Sequence, residues 1–414
     1  MSPRTASRAA AAATDRAVAE RRLIEIAAAV AVRREACREE AAALSRAVDW
    51  DELAAALAWR RLLPPLGPRL LELSDGAAGP RFEAVVAESV AAARRQAVLL
   101  TSVGDLVGMA LVAAGVRSAP LKGPRLAESI YGDPGRRLAG DVDVLVDRTD
   151  LPTAVAAVEG LGYAAPQDPR DADGLPELHF ALSHREERMP PVELHWRIHW
   201  YERRFAAARL LPPPEAGADW RPAAADELAA LLLFYARDGF VDLRLAADLG
   251  AWWDARGAEL PPRALADVVA AHPELERALR VAARVSARTV GLPAQGQLDP
   301  RPELRTRLAV ELANPHPSRG EVQTYAEIGL VDGLLTPRGG AGALLRRQLL
   351  VPDEVLRRRD RLTGNRRRRG PFRDGTRLGY AIRLLVRTGV LFFYLLALGR
   401  AFWAASARNP RRAS

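Results

Sequence analysis

The hydrophobic pattern along the chain changes period twice, and those changes mark its organisation. From about residue 21 to 115, apolar residues recur every three to four positions in Ala- and Leu-rich stretches, the spacing of amphipathic helices. Asp49 or Asp51 is placed to cap one of these ahead of an apolar run. Pro64, Pro65 and Pro68 punctuate the next, and 74–80 reads as a loop. After Gly115 the period shortens. Short runs at 116–121, 141–146, 179–184 and 192–199 predict strands, the last two flanking a turn over 185–191. Pro124 suits the first position of a helix reaching Tyr131, and a second helix is expected over 151–161. Beyond Pro212, Pro213 and Pro214 the helical period returns until about Val290, and 291–340 is broken by Gly and Pro. The pattern predicts an α+β fold in which a small mixed sheet is flanked by helical segments. Its expected parts are a frayed N terminus (1–20), a helical segment (21–115), the sheet-bearing core (116–205), a helical domain (206–335) and a tail (336–414). No internal repeat is visible.

Composition narrows the class. The chain has 414 residues, 49 % hydrophobic and 27 % charged, which suits two or three globular domains. Its single cysteine, Cys37, excludes an internal disulfide, and no Cys/His group has zinc-finger spacing. The first apolar stretch, 23–32, is interrupted by Glu25 and bracketed by charges, so it reads as a surface helix rather than a secretory signal. A cytoplasmic location is the expectation.

Charge divides the chain. The net charge is +9, yet residues 336–414 carry 19 Arg against 4 acidic residues, so the body is mildly acidic and the tail basic. Within the tail, the arginine run 366–369 precedes an apolar stretch over 380–403, whose longest uncharged piece is the 12 residues 388–399. That is short of the roughly 20 needed to span a bilayer. Two readings stay open: a terminal helix packed on the helical domain, or a peripheral membrane contact through Phe392, Phe393, Tyr394, Phe402 and Trp403. Arginine also accounts for 59 of the 60 basic residues, and the exception is Lys122.

That lysine lies among the residues with chemical potential. Asp141 and Asp143 stand two apart on an expected strand, so both carboxylates project from one face while Val142 and Val144 point the other way. Paired carboxylates repel unless a cation lies between them, and hard oxygen ligands suit Mg²⁺. The alternative is a solvated strand end. Lys122-Gly123 ends the first strand at the start of a helix, where backbone N–H groups are free for a phosphate and Gly123 permits close approach or a positive φ. Arg136 and Arg137, in the following loop, are candidate phosphate clamps or simply exposed charges.

The run Pro120-Leu-Lys-Gly-Pro-Arg-Leu-Ala-Glu-Ser-Ile-Tyr-Gly-Asp-Pro-Gly-Arg-Arg-Leu-Ala-Gly-Asp-Val-Asp-Val-Leu-Val146 resembles the signature of an uncharacterised bacterial nucleotidyltransferase family. That family lies within the DNA polymerase β-like nucleotidyltransferase superfamily. Val192-Glu-Leu-His-Trp-Arg-Ile198 resembles its second block, and weaker similarity reaches from Asp49-Trp50 to Tyr235-Ala-Arg-Asp-Gly-Phe and Asp248. The resemblance implies that Asp141, Asp143 and Glu193 hold a pair of Mg²⁺ ions. It also implies that Lys122, Gly123, Arg136 and Arg137 contact an NTP, and that an unidentified acceptor hydroxyl attacks the α-phosphorus as pyrophosphate leaves. A departure is Gly123-Pro124, where a Gly-Ser pair is common in the superfamily, so one phosphate-binding hydroxyl is missing.

Other readings compete at particular residues. Glu193 suits a metal ligand, a base for the acceptor hydroxyl, or a structural ion pair. His179, His184, His195 and His199 raise a transition-metal site, but residues four apart on one strand are about 13 Å apart, too far to share a metal. Trp196 and Trp200 read as core or rim aromatics, and Asp242 and Asp248 as helix caps or ion pairs or groups beneath the nucleotide. Alternatives to an enzyme are a degenerate nucleotidyltransferase fold serving as a binding or assembly module, and a nucleic-acid binder. Against the last stand the absence of a helix-turn-helix or zinc pattern and of aromatics interleaved with the arginine run 366–369.

Overall fold

Where the period shortens, five short strands form: β1 (Ser118–Pro120), β2 (Val142–Val146), β3 (Tyr163–Ala164), β4 (His179–His184) and β5 (Val192–His195). They make one mixed sheet in the order β1-β2-β5-β4-β3, with β2 and β5 parallel and the other neighbours antiparallel. The computed structural model describes residues 3–165, 178–216, 220–241, 243–293, 298, 303–315 and 321–340, with 395, 396, 399, 400 and 403. Asp242, the arginine run 366–369 and nearly all of the apolar stretch after it lie outside the described residues. The fold is α+β, as the pattern predicts.

Strand alternation decides what the sheet buries and what it presents. Val142, Val144, Val146, Phe180, Leu182, Val192 and Leu194 enter one core with Leu100, Val103, Val107 and Leu111 from the 35-residue helix Gly79–Ala113. The alternate positions Asp143, His179, Glu193 and His195 therefore belong to the opposite face, where Leu145 joins a second, larger core. That core is continuous across both helical segments expected from the sequence. Leu23, Ile26, Leu53 and Phe82 share it with Leu232, Phe234, Trp252 and Val281. The segments before and after the sheet thus pack as one body around it.

Among the described residues, only Gly79–Ala113 has the length and apolar composition to cross a bilayer. Its buried positions, including Ala93, Ala97, Leu100, Val103, Val107 and Leu111, recur at helical spacing, and that stripe faces the protein. Val98, Leu106, Met109 and Val112 lie exposed on the other side.

Several boundaries differ from expectation for local reasons. The helix Pro3–Ala28 runs through the stretch expected to fray, in keeping with the helix propensity of its alanines. Asp49, not Asp51, caps Trp50–Trp59, accepting from the backbone N–H groups of Asp51 and Glu52. β5 ends at His195 rather than at 199: the Trp196 N–H still bonds the carbonyl of Leu178, continuing the pairing with β4 by one rung, and the chain then leaves the sheet. The two-residue β3 is too short to register as a period.

Where the chain leaves β5, Glu202 is buried, and that burial pushes its carboxyl up to about 8 against the opposing backbone hydrogen bonds from Ile198, His199 and Ala206. The folded state then holds a proton that the unfolded chain releases near its ordinary value of 4.5. The resulting stabilisation is complete below that value and is lost as the pH climbs to about 8. Glu202→Gln, which stays neutral, should lack this component. Thermal melts of both proteins at pH 5 and pH 8 test it: the variant should gain on the parent at the higher pH, and parallel shifts would refute the assignment.

Candidate active site

The site begins at the end of β1. The Leu121 N–H continues the pairing with β2 by donating to the carbonyl of Asp143 at 3.2 Å. Gly123 follows at φ +80°, a conformation that disfavours any side chain, and Pro124 opens the helix Pro124–Tyr131. This turn aims Lys122 back across the sheet. Its Nζ lies 3.5 Å from Asp143 Oδ2 and 4.4 Å from the ring centroid of Phe234, on the helix Ala224–Arg237. A carboxylate and an aromatic face together hold the ammonium.

The three carboxylates converge. In the parallel register of β2 and β5, Asp143 pairs directly with Glu193. Asp141 lies just ahead of β2, and the three groups offer oxygens within 4.8 Å of one another. Their surroundings treat them differently. Burial pushes Asp143 up, but the hydrogen bond from His195 Nε2 at 2.8 Å and the Lys122 charge override it and hold this carboxyl far below its usual range. Burial also opposes ionisation of Glu193, and His195 and His179 outweigh it. Asp141 is raised, by burial first and then by the charges of Asp143 and Glu193. A cation among the three would relieve that repulsion, and an all-oxygen donor set fits a hard divalent ion such as Mg²⁺.

The histidines separate into two groups. Antiparallel register places His179 opposite His195, with ring centroids 4.9 Å apart, a proximity that spacing within one strand does not reveal. His184 packs against Tyr163, and His199 lies beside Tyr201, away from the site. His179, Glu193 and His195 also bring donor atoms within 4.8 Å. A metal-bound imidazole ordinarily donates its second N–H to a partner, whereas the buried Nδ1 of His195 has none among the described residues. With Asp143 ionised, the proton belongs on His195 Nε2, and the imidazole acts as a support that orients the Asp143 carboxylate.

The candidate clamps are engaged by partners within the fold. Arg136 donates to the carbonyl oxygens of Pro64 and Pro65, 3.1 Å each. Arg137 is buried and donates from Nε to Asp248 Oδ2 at 2.8 Å, while Tyr131 donates its hydroxyl proton to Asp248 Oδ1 at 2.9 Å. Asp248 is fully buried, so this ion pair ties the loop after Pro124–Tyr131 to the helix Leu243–Arg256. Arg137 still lends its charge to Asp143, but from inside the fold. Trp196 is buried in the core beneath the sheet, and Trp200 packs at the edge of the larger one.

Two further neighbours, Phe234 and Arg237, carry no local signal of a site. Their helical pattern marked a buried face, and only the similarity over Tyr235-Ala-Arg-Asp-Gly-Phe hinted at more. Beside the carboxylates a cavity of about 700 Å³ opens against the helix Gly79–Ala113. Lys122, Gly123, Asp141 and Asp143 form one wall and Gly104 and Met109 part of the other.

A family model described as an uncharacterised nucleotidyltransferase matches residues 46–291, a span that contains every residue of this site. No curated protein and no solved structure matches the chain.

Proposed function

The chain belongs to the nucleotidyltransferase family that matches residues 46–291, and on that premise we propose that it is a Mg²⁺-dependent enzyme. It moves a nucleoside monophosphate from an NTP to a hydroxyl acceptor. The observation that carries this reading is the convergence of Asp141, Asp143 and Glu193 within 4.8 Å beside Lys122. These carboxylates are the residues that would hold the metal. When bound, Mg²⁺ supplies charge neutralisation on the phosphates and lowers the pKa of the acceptor hydroxyl. The acceptor oxygen forms a bond to the α-phosphorus, the bond from that phosphorus to the β-phosphate oxygen breaks, and pyrophosphate leaves with the electron pair. Glu193, on the neighbouring parallel strand, takes the hydroxyl proton. Lys122 and the N–H groups at the start of Pro124–Tyr131 face the phosphates.

Calorimetric titration with each of the four NTPs, with and without Mg²⁺, tests the proposal. At least one should bind only when Mg²⁺ is present, and failure of all four would overturn it.

The same titration examines the lysine. Lys122→Arg keeps the charge but replaces a compact ammonium with a bulkier planar fork that pairs bidentately with Asp143 and crowds the turn at Gly123. NTP binding should weaken by about tenfold or more. Parental affinity in the variant would make the single lysine an accident of composition.

A further inference from the structure

With Arg136 and Arg137 turned into the fold, the cation that grips the polyphosphate has to come from another element. We propose that this group is Arg237, at the end of the helix Ala224–Arg237, acting with Lys122 on the β- and γ-phosphates of the nucleotide. The inference rests on the nucleotidyl-transfer reading and names the part of the chain that holds the leaving group.

Geometry carries it. The Arg237 guanidinium carbon lies 5.0 Å from the centroid of Phe234, the same buried ring that seats Lys122 Nζ at 4.4 Å. One aromatic side chain thus seats both cations. Arg237 also stands near enough to His179, next to Glu193, for its charge to act on that imidazole. Its Nε donates to Asp238 Oδ1 at 3.1 Å, which locks the guanidinium plane. Neither terminal nitrogen has a hydrogen-bond partner among the described residues, although the side chain keeps only 16 % of its exposure.

This half-buried fork has two terminal nitrogens free to meet a phosphate, which accepts two parallel N–H bonds. Charge balance points the same way. Three carboxylates face one lysine, Arg137 is matched by Asp248, and a bound polyphosphate brings several further negative charges.

The test uses the full chain and its Arg237→Gln and Arg237→Lys variants. Calorimetry with Mg²⁺ measures binding of each NTP, the matching NMP and inorganic pyrophosphate. Arg237→Gln should weaken NTP and pyrophosphate binding by about tenfold or more, with NMP affinity and melting temperature unchanged. Equal affinity for pyrophosphate in parent and variant overturns the proposal. So does an equal loss for NMP and NTP accompanied by a lower melting temperature, the mark of a structural ion pair with Asp238. Should the Gln variant fail to fold, Arg237→Lys decides, since it keeps a charge over Phe234 but not the fork. It should bind pyrophosphate about threefold or more weakly, and parity refutes the role. A parent that binds pyrophosphate through Arg237 but no NTP would spare this inference and sink the nucleotidyl-transfer reading.

Discussion

Replacing Asp141 and Asp143 together by asparagine is expected to lower Mg²⁺-dependent turnover by at least about a thousandfold, on the order of 4 kcal/mol of transition-state stabilisation, while the chain stays folded. Asparagine occupies the same volume, and its amide oxygen still accepts from His195 Nε2, so the support at 2.8 Å survives. What disappears is the negative charge that a divalent ion needs. Lys122 loses its carboxylate partner but keeps the Phe234 ring. The mutual repulsion that raises Asp141 is also removed, which favours the folded state. Turnover of labelled NTP measured beside thermal melting separates the effects. A double variant that reacts like the parent would sink the catalytic assignment, and one that unfolds would show the carboxylates to be structural.

The largest effect on stability is expected at Asp248. Asp248→Ala leaves the Arg137 guanidinium buried without its counter-charge and deprives the Tyr131 hydroxyl of its acceptor. Removing one partner of a buried pair costs about 3–5 kcal/mol, which corresponds to a melting-point drop of roughly 10 °C for a domain of this size. Both partners are almost wholly enclosed, with side-chain exposures of 5 % and 0 %, so solvent offers no relief. Urea denaturation followed by circular dichroism gives the number directly. A shift under about 1 kcal/mol would mean that water enters the site or that the loop rearranges.

The parts of this site legible in the sequence are those written in local spacing. Asp141-x-Asp143 on a strand and Lys122-Gly123 before a helix declare themselves because period and turn chemistry act over a few residues. Partners set by register or by docking do not. His179 meets His195 only because β4 and β5 pair with a particular offset, and nothing local specifies it. Arg136 and Arg137 looked like a clamp because a loop arginine and a buried one read alike, and what buries them lies far off at Pro64, Pro65 and Asp248. Phe234 and Arg237 were hidden by a helix whose pattern announces only that one face is covered. The α+β class was readable from the change of period. The union of both helical segments into one core was not, since amphipathicity states that a face is buried without naming its mate.

The bond between Arg137 and Asp248 joins residues 111 positions apart, and Lys122 leans on a ring from the same late helices. For a chain made from its N terminus this imposes an order of events. The carboxylates and the strands that carry them emerge early, but the lysine's seat and the loop's counter-ion arrive only once the helices around 224–256 have been synthesised. A nascent chain halted before them holds three crowded carboxylates with no finished pocket, so the site is completed only as the larger core closes.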